Sequence, residues 1–357
     1  MKPYSWAPMI GKPGVFLRRL RAVALLCFLG ALLLYGVWPW LPLPHASRQP
    51  QTIIFYGFSI LGEVMNKGIF PAFQKEWQAR TGQHVEFISS FAGSGTVRNQ
   101  IIMGVPAQLA LLSLELDAQQ LAQAHVIPSD SWHELPHHGV VNRTPFVILT
   151  RKGNPKGIRD FPDLTRKGVG LVHPDPLTSG GANWAIVAEY GSGMRQNGGR
   201  AEAGEELLGR IWENVVAQAA SARAGRTQFE NGFGDALITY EQELLHDLGR
   251  GKLKGEIVYP QSTIESEHTL VVVWRNIAPG DRAAVESFRD FLWSDQAQKI
   301  FVEYGYRSVN EALNSGNPRF GQIPDLFSIS DLGGWAKAKR EIVDGVWKQR
   351  VLRKLKK

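Results

Sequence analysis

Three small residues between a strand and a helix are the part of this chain that is best suited to bind a ligand. Ser179, Gly180 and Gly181 follow a strand-like run at residues 169–173 and precede a helix-like run at residues 184–190. Glycine lets backbone N–H groups approach a ligand closely, and the first turn of a helix offers unpaired N–H groups and the positive end of the helix dipole. The Ser179 hydroxyl adds one more donor. The segment therefore indicates an anion cradle, and the alternative is an ordinary loop with a helix cap.

A second serine–glycine turn lies in the other half of the chain. Residues 93–95 read Gly-Ser-Gly, after a strand-like run at residues 85–88 and before a helix that is predicted to begin at residue 96. In open α/β sheets, ligands bind beyond the carboxyl ends of the strands. Two such turns that face each other would surround a small anion with amides from both sides. The pair predicts two hinged lobes with a ligand in the cleft between them.

Motifs for catalysis are poorly represented. There is no Walker A pattern, and the serine–glycine turn at residues 93–95 is not a nucleophile elbow. His137 and His138 are adjacent in a loop without further converging ligands, so we interpret them as structural or solvated. The helical spacing of Glu241, Glu243 and Asp247 is typical of a solvated helix face rather than of catalytic carboxylates. The sequence predicts no enzyme activity, no cofactor and no metal site.

The net charge of +7 is concentrated at the two ends of the chain. Residues 1–21 and 348–357 contain basic but no acidic side chains, so the remaining body is mildly acidic. A nucleic-acid-binding protein needs a basic patch on its folded body. The hydrophobic content of 44% and charged content of 20% are typical of a folded globular protein. We therefore expect no nucleic-acid partner. The body is expected to be a monomer.

The N-terminal segment predicts export across the cytoplasmic membrane. Its basic residues precede an apolar run that begins at residue 22. This run is longer than the roughly 7–15 apolar residues of a cleaved signal peptide and is close to the roughly 20 that span a bilayer. Residues 1–42 are predicted to be a signal peptide or a signal anchor, with residues 22–41 as the candidate membrane segment, and residues 43–51 a polar linker. Cys27, the only cysteine, lies in this segment, so no disulfide is expected in the body.

The body alternates strand-like and helix-like segments. Strands are predicted at residues 52–56, 85–88, 109–112, 144–150, 236–240 and 269–274, and helices at residues 61–80, 204–217 and 281–304. Such alternation predicts an α/β fold in which mixed, mostly parallel sheets are flanked by helices.

The order of several short motifs resembles the sulfate-binding proteins of bacterial ABC uptake systems. The resemblance covers residues 52–349 and rests on GSG (93–95), RKGNPK (151–156), SGGANW (179–184), GDALI (234–238), YR (306–307) and GGWAKA (333–338). It implies a two-lobed periplasmic binding fold of type II, preceded by the hydrophobic N-terminal helix. The implied lobes are residues 52–143 with 268–325, and residues 144–267. Residues 326–357 form a C-terminal segment with a basic tail.

The resemblance also implies which positions bind sulfate, mostly through main-chain amides. The positions carried over onto this chain are Gly57, Ser94, Ser179, Gly180, Gly181, Ala222 and Tyr240. Two of them depart from the family pattern. The family has aspartate at the position of Gly57, where only an N–H is needed. It has tryptophan, an indole N–H donor, at the position of Tyr240, whose phenol can both donate and accept.

The expected function is therefore binding of sulfate outside the cytoplasmic membrane and its delivery to the membrane subunits of an ABC transporter. Sulfate is fully ionised at neutral pH and needs only donors, whereas phosphate keeps a proton in part and profits from a carboxylate acceptor. None of the carried-over positions is acidic. Thiosulfate, molybdate or phosphate binding remains open as an alternative, as do a membrane-tethered anion sensor and an enzyme acting on sulfate or phosphate esters.

Overall fold

The computed structural model describes residues 13–37 and 50–355. These residues fall into two units, one within residues 1–49 and the other within residues 50–357. Most of the predicted linker, residues 43–49, lies outside the described residues, as do residues 356 and 357 of the basic tail.

The first unit contains a single described helix, α1 (Pro13–Val37), of 25 residues. Its apolar side chains between Leu20 and Tyr35 are mostly exposed within this unit. No helix in the described ranges is long and apolar enough to cross a membrane. The membrane segment at residues 22–41 stays a prediction, and its residues 38–41 lie outside the described part of the chain.

The second unit contains eleven strands among its described residues. In chain order, the strands are β1 (Gln51–Phe58), β2 (Val85–Ala92), β3 (Leu109–Leu112), β4 (Val140–Thr150), β5 (Leu171–Pro174), β6 (Val215–Ala219), β7 (Ala236–Tyr240), β8 (Glu256–Val258), β9 (Ser262–Val272), β10 (Arg307–Ser308) and β11 (Asp325–Phe327).

Helices connect these strands and cover the sheet. They are α2 (Gly62–Val64), α3 (Phe70–Thr81), α4 (Ser94–Ile102), α5 (Glu115–Gln123), α6 (Gly180–Arg195), α7 (Ala201–Trp212), α8 (Ala222–Glu230), α9 (Glu241–Leu248), α10 (Arg282–Phe291), α11 (Asp295–Glu303), α12 (Gly334–Ala338) and α13 (Leu352–Leu355). Two π-helical segments, Met65–Ile69 and Lys339–Val351, join α2 to α3 and α12 to α13.

The strands follow the order β2-β1-β3-β9-β4-β7-β5-β6, while β8 and β10 pair with β4 and β11 pairs with β9. Parallel pairs join β1 to β2 and β3, β5 to β6 and β7, and β9 to β11. Antiparallel pairs join β3 to β9, and β4 to β7, β8, β9 and β10. The mixed character agrees with the prediction, but the sheet is not mostly parallel, because the long strands β4 and β9 run against most of their neighbours.

Strands β4 and β9 carry the chain between two groups of strands. Residues 140–145 of β4 pair with β9, whereas residues 146–150 pair with β7. The predicted lobe boundaries, between residues 143 and 144 and between 267 and 268, fall inside these two strands. The division into lobes itself stays a prediction.

Two predicted helices differ from the structure. The helix predicted at residues 204–217 ends at Trp212, because Val215–Ala219 leaves the helical pattern to pair with β5. The helix predicted at residues 281–304 is broken into α10 and α11. Ser294 caps the second of these, because its hydroxyl accepts a hydrogen bond from the Ala297 amide at 3.2 Å.

Candidate anion-binding site

Three helices of the body begin close to one another. Gly93 precedes α4, and a Cβ added to it would lie 2.4 Å from the carbonyl oxygen of Thr178 and 2.7 Å from that of Ala220. These two carbonyls precede α6 and α8. Only glycine permits this approach, since a side chain would collide with backbone atoms. The Thr178 hydroxyl also donates to the Ala220 carbonyl at 3.0 Å, so the segments before α4, α6 and α8 converge.

The first residues of these helices present unpaired amides. Within residues 50–355, no acceptor is found for the N–H groups of Ser94, Gly95, Gly180, Gly181 and Ala222. All five residues are buried. Unpaired N–H groups at buried helix N-termini, reinforced by the helix dipoles, are suited to an anion. The predicted positions Ser94, Gly180, Gly181 and Ala222 therefore share one region.

Ser94 can offer an anion its amide but not its hydroxyl. The hydroxyl donates to Asp117 Oδ2 at 2.5 Å and accepts from the Ser113 amide at 2.9 Å. Arg98 holds the other oxygen of Asp117 at 2.7 Å. These bonds fix the first turn of α4 against the start of α5, so the Ser94 N–H has a defined direction.

Ser179 has the opposite arrangement. Its amide is already used, since it donates to the Asp175 carbonyl at 2.8 Å. Its backbone is extended, with φ −107° and ψ 120°, and its side chain makes no capping hydrogen bond to α6. The residue is 3% exposed. The Ser179 hydroxyl is therefore available as a donor beside the amides of Gly180 and Gly181.

Tyr240 lies directly against the glycine turn. A Cβ added to Gly181 would lie 2.9 Å from the Tyr240 hydroxyl. The phenol donates to Ser113 Oγ at 3.1 Å, and its ring lies 4.5 Å from that of Phe146 between centroids. Burial raises the pKa of Tyr240, opposed by the bond to Ser113, so the phenol keeps its proton at neutral pH.

Gly57 is placed inside β1, not just after the strand as the sequence predicted. It aligns with Phe91 of β2 and Leu111 of β3. A Cβ added to Gly57 would lie 2.9 Å from the Phe91 ring and 3.0 Å from Leu61. The room that the family's aspartate would need is thus filled by apolar side chains. The ring of the next residue, Phe58, lies 6.0 Å from that of Tyr240, which places this end of β1 near the other candidate residues.

Two arginines near the starts of α4, α6 and α8, the region named the cradle, are already paired with carboxylates. Arg98 binds Asp117, and Arg223, the second residue of α8, lies 2.8 Å from Glu243. Burial raises the pKa of Asp117, while Arg98 and Ser94 act against this rise. An anion in this region would therefore be stabilised by dipoles rather than by an unpaired cation.

The expectation that Glu241 and Glu243 form a solvated helix face is wrong. Both side chains are buried. Glu241 receives two bonds from Arg307, at 3.0 and 3.1 Å, and Glu243 faces Arg223. Pairing with arginines distant in the sequence makes this burial tolerable.

The adjacent histidines lie in the segment directly before β4. His137 and His138 both have positive φ, at 51° and 55°, and the ring of His138 lies 5.9 Å from that of His133. Within the described residues, no group of three or more His, Cys, Asp or Glu side chains is arranged to hold a metal ion.

Two residues of this region were missed from the sequence, Ser113 and Asp117. Ser113 directly follows the buried strand β3, at the carboxyl end of which a ligand is expected in an α/β sheet. That position in the sequence could have marked Ser113 as a candidate. Nothing in the sequence marked Asp117, because its role depends on its contact with Ser94.

This architecture is the mixed α/β fold of periplasmic binding proteins. A solved structure, the sulfate-binding protein SubI from Mycobacterium tuberculosis H37Rv, superimposes with a TM-score of 0.74 at 30% identity, covering 82% of this chain and 99% of that one. Residues 65–307 match the family described as bacterial extracellular solute-binding protein. The chain belongs to this family, whose members bind solutes and are not enzymes.

Curated relatives agree with this assignment. A sulfate-binding protein from Synechococcus elongatus is 34% identical over 312 residues, which cover 85% of this chain and 87% of the relative. A thiosulfate-binding protein from Pseudomonas aeruginosa is 32% identical over 314 residues, which cover 85% and 93%. The resemblance inferred from the short motifs is thereby confirmed at the level of the sulfate and thiosulfate group of this family.

Proposed function

We propose that this chain binds sulfate between two lobes and delivers it to the membrane subunits of an ABC transporter. The observation that carries this proposal is the convergence of three buried helix N-termini with unpaired amides, joined by the hydroxyl of Ser179. Burial of a dianion is costly unless many aligned donors replace its water. This set of donors meets that need without a covalent step or a cofactor.

Sulfate fits the site better than phosphate because the donors have no accompanying carboxylate acceptor that is free. At neutral pH, phosphate partly carries a proton that requires an acceptor, whereas sulfate presents acceptors alone. Asp117 is the carboxylate nearest Ser94, and both of its oxygens are engaged, by Ser94 and by Arg98. It is therefore poorly placed to accept a proton from a bound ligand.

Thiosulfate is the second candidate. It is also a fully ionised dianion at neutral pH, and the relatives carry names of both kinds. Tyr240 stands where the resemblance implies an indole donor, so the donor geometry on this side of the cradle is particular to this chain.

Titration calorimetry of the body, residues 50–357, tests the proposal with sulfate, thiosulfate, phosphate and molybdate. We expect sulfate or thiosulfate to bind far more tightly than phosphate. Ser179→Ala should weaken binding by roughly 1–3 kcal/mol, because a hydroxyl that meets a charged ligand is lost. Ser192→Ala is the matched control, since Ser192 is equally buried but lies far along α6. Binding of phosphate alone would refute the proposal.

Delivery and location need separate tests. Uptake of radiolabelled sulfate by cells that lack their own binding protein, but keep the transporter, should be restored by this chain. We propose that the body acts outside the cytoplasmic membrane, as the family description implies. The mass of the exported protein decides whether residues 1–42 are removed as a signal peptide or kept as an anchor.

A further inference from the structure

We propose that the hydroxyl of Ser113 is a further ligand of the bound anion, and that Tyr240 acts on the anion through Ser113. This inference rests on the proposed function, because it assigns one more donor to the same site. It changes the role of Tyr240 from a direct contact, as the resemblance implies, to a residue that positions another hydroxyl.

Ser113 is held in place by two of the elements that form the cradle. Its amide donates to Ser94 Oγ at 2.9 Å, and its carbonyl accepts from the indole of Trp184 at 2.6 Å. Ser94 begins α4, and Trp184 lies in the second turn of α6. Both bonds use the backbone of Ser113, so its position does not depend on its own side chain. The residue is 1% exposed.

The Ser113 hydroxyl lies against Gly180, one of the residues whose amides are proposed to bind the anion. A Cβ added to Gly180 would lie 2.2 Å from Ser113 Oγ. The oxygen is therefore in close contact with the first residue of α6, whose N–H is unpaired. An anion that accepts bonds from Gly180 and Gly181 would come within reach of this hydroxyl.

The bond from Tyr240 leaves the Ser113 proton available. The phenol donates to Ser113 Oγ at 3.1 Å, and a hydroxyl that accepts one bond still has its own proton to donate. Within the described residues, no acceptor is found for that proton. Because hydrogen bonds in a chain strengthen one another, the phenol makes Ser113 a better donor toward an anion.

Alanine substitution isolates this role because it keeps both backbone bonds of Ser113. We expect Ser113→Ala to raise the Kd for sulfate by about 10- to 100-fold, the loss of one bond to a charged ligand. Tyr240→Phe should have a smaller effect, about 3- to 10-fold. The double variant should bind no more weakly than Ser113→Ala alone, since Tyr240 acts through Ser113. Ser192→Ala, a buried serine at the far end of α6, is the control.

Calorimetry of these variants, with circular dichroism to verify folding, separates the outcomes. If the Kd of Ser113→Ala lies within twofold of the wild-type Kd while Ser179→Ala loses affinity, this inference is wrong and the proposed function still holds. Additive losses in the double variant would show that Tyr240 contacts the anion directly, which also overturns it. If the wild type binds neither sulfate nor thiosulfate, the proposed function itself is refuted. If Ser113→Ala does not fold, Ser113→Cys keeps the size of the side chain but donates weakly and should show the same loss.

Discussion

Replacement of Gly180 by alanine should weaken anion binding without weakening the fold. Gly180 is the first residue of α6, and its φ is not positive, so alanine fits its backbone. An added Cβ would lie 2.2 Å from Ser113 Oγ and 2.4 Å from Leu114 Cδ2. Ser113 and Leu114 belong to one predicted lobe and Gly180 to the other. We therefore expect the collision to oppose closure of the predicted lobes rather than folding of either one.

The size of the effect follows from the overlap. Ordinary contacts between such atoms are about 3.5–4.0 Å, so the neighbours of the new methyl would have to move by more than roughly 1 Å. Overpacking of this kind costs about 1–3 kcal/mol, which raises the Kd about 5- to 150-fold. We expect the methyl to meet no such contact when the two predicted lobes are apart, and alanine is favoured over glycine in a helix by up to about 1 kcal/mol.

Calorimetry with sulfate measures the change in affinity, and urea unfolding without ligand measures the change in stability of the fold. Gly209→Ala is the control, because the nearest atom to an added Cβ is Val351 Cγ2 at 3.8 Å and the residue lies within α7. It should leave affinity unchanged. Wild-type affinity in Gly180→Ala would show that the contact between residues 180 and 113 is absent from the bound form. A lower free energy of unfolding without ligand would place the collision inside one lobe.

Two further substitutions test contacts outside the cradle. Glu63 pairs with His246 at 3.0 Å and with Arg250 at 2.8 Å, across the predicted lobes. Partly exposed pairs contribute about 0.2–1 kcal/mol, so Glu63→Gln should raise the Kd by up to about 5-fold at low salt. If this difference does not depend on salt, these ion pairs do not stabilise the ligand-bound form. Burial lowers the pKa of His268 from 6.5 to about 3, so below pH 6.5 the unfolded chain binds the extra proton and the folded protein loses up to about 1.4 kcal/mol of stability per pH unit. In urea unfolding between pH 7 and 4, His268→Gln should reduce the change of the unfolding free energy with pH. His84→Gln, at an exposed position, should not. Equal slopes in the wild type and His268→Gln would refute this role of His268.

Local features of the cradle were predictable from the sequence because each rests on short-range patterns. A strand, a serine–glycine turn and a helix start are contiguous around both residues 93–95 and residues 179–181, and the structure places α4 and α6 there. Glycine and serine at these positions have strong local meaning. The convergence of the two turns was also inferable, because both follow strand ends in an α/β alternation.

Other features were beyond local patterns because tertiary partners decide them. Val215 begins a strand where the apolar spacing continued a helix, since β5 offers it an edge. Glu241 and Glu243 appear solvated from their helical spacing, yet arginines at positions 307 and 223 neutralise them in the interior. Spacing along one helix cannot reveal a partner that is 66 residues away.

The charge pattern around the cradle explains how an uncharged set of donors would hold the proposed dianion. Arg98 and Arg223 each lie near a helix N-terminus. A free cation there would raise the affinity for every anion. Each is instead tied to a buried carboxylate, Asp117 or Glu243. Attraction then comes from oriented N–H and O–H dipoles, which act only at hydrogen-bonding distance and require acceptors in defined directions. Such a site selects by the number and placement of ligand oxygens rather than by charge alone, so a protonated oxyanion of the same size loses a bond wherever its own O–H meets one of these donors.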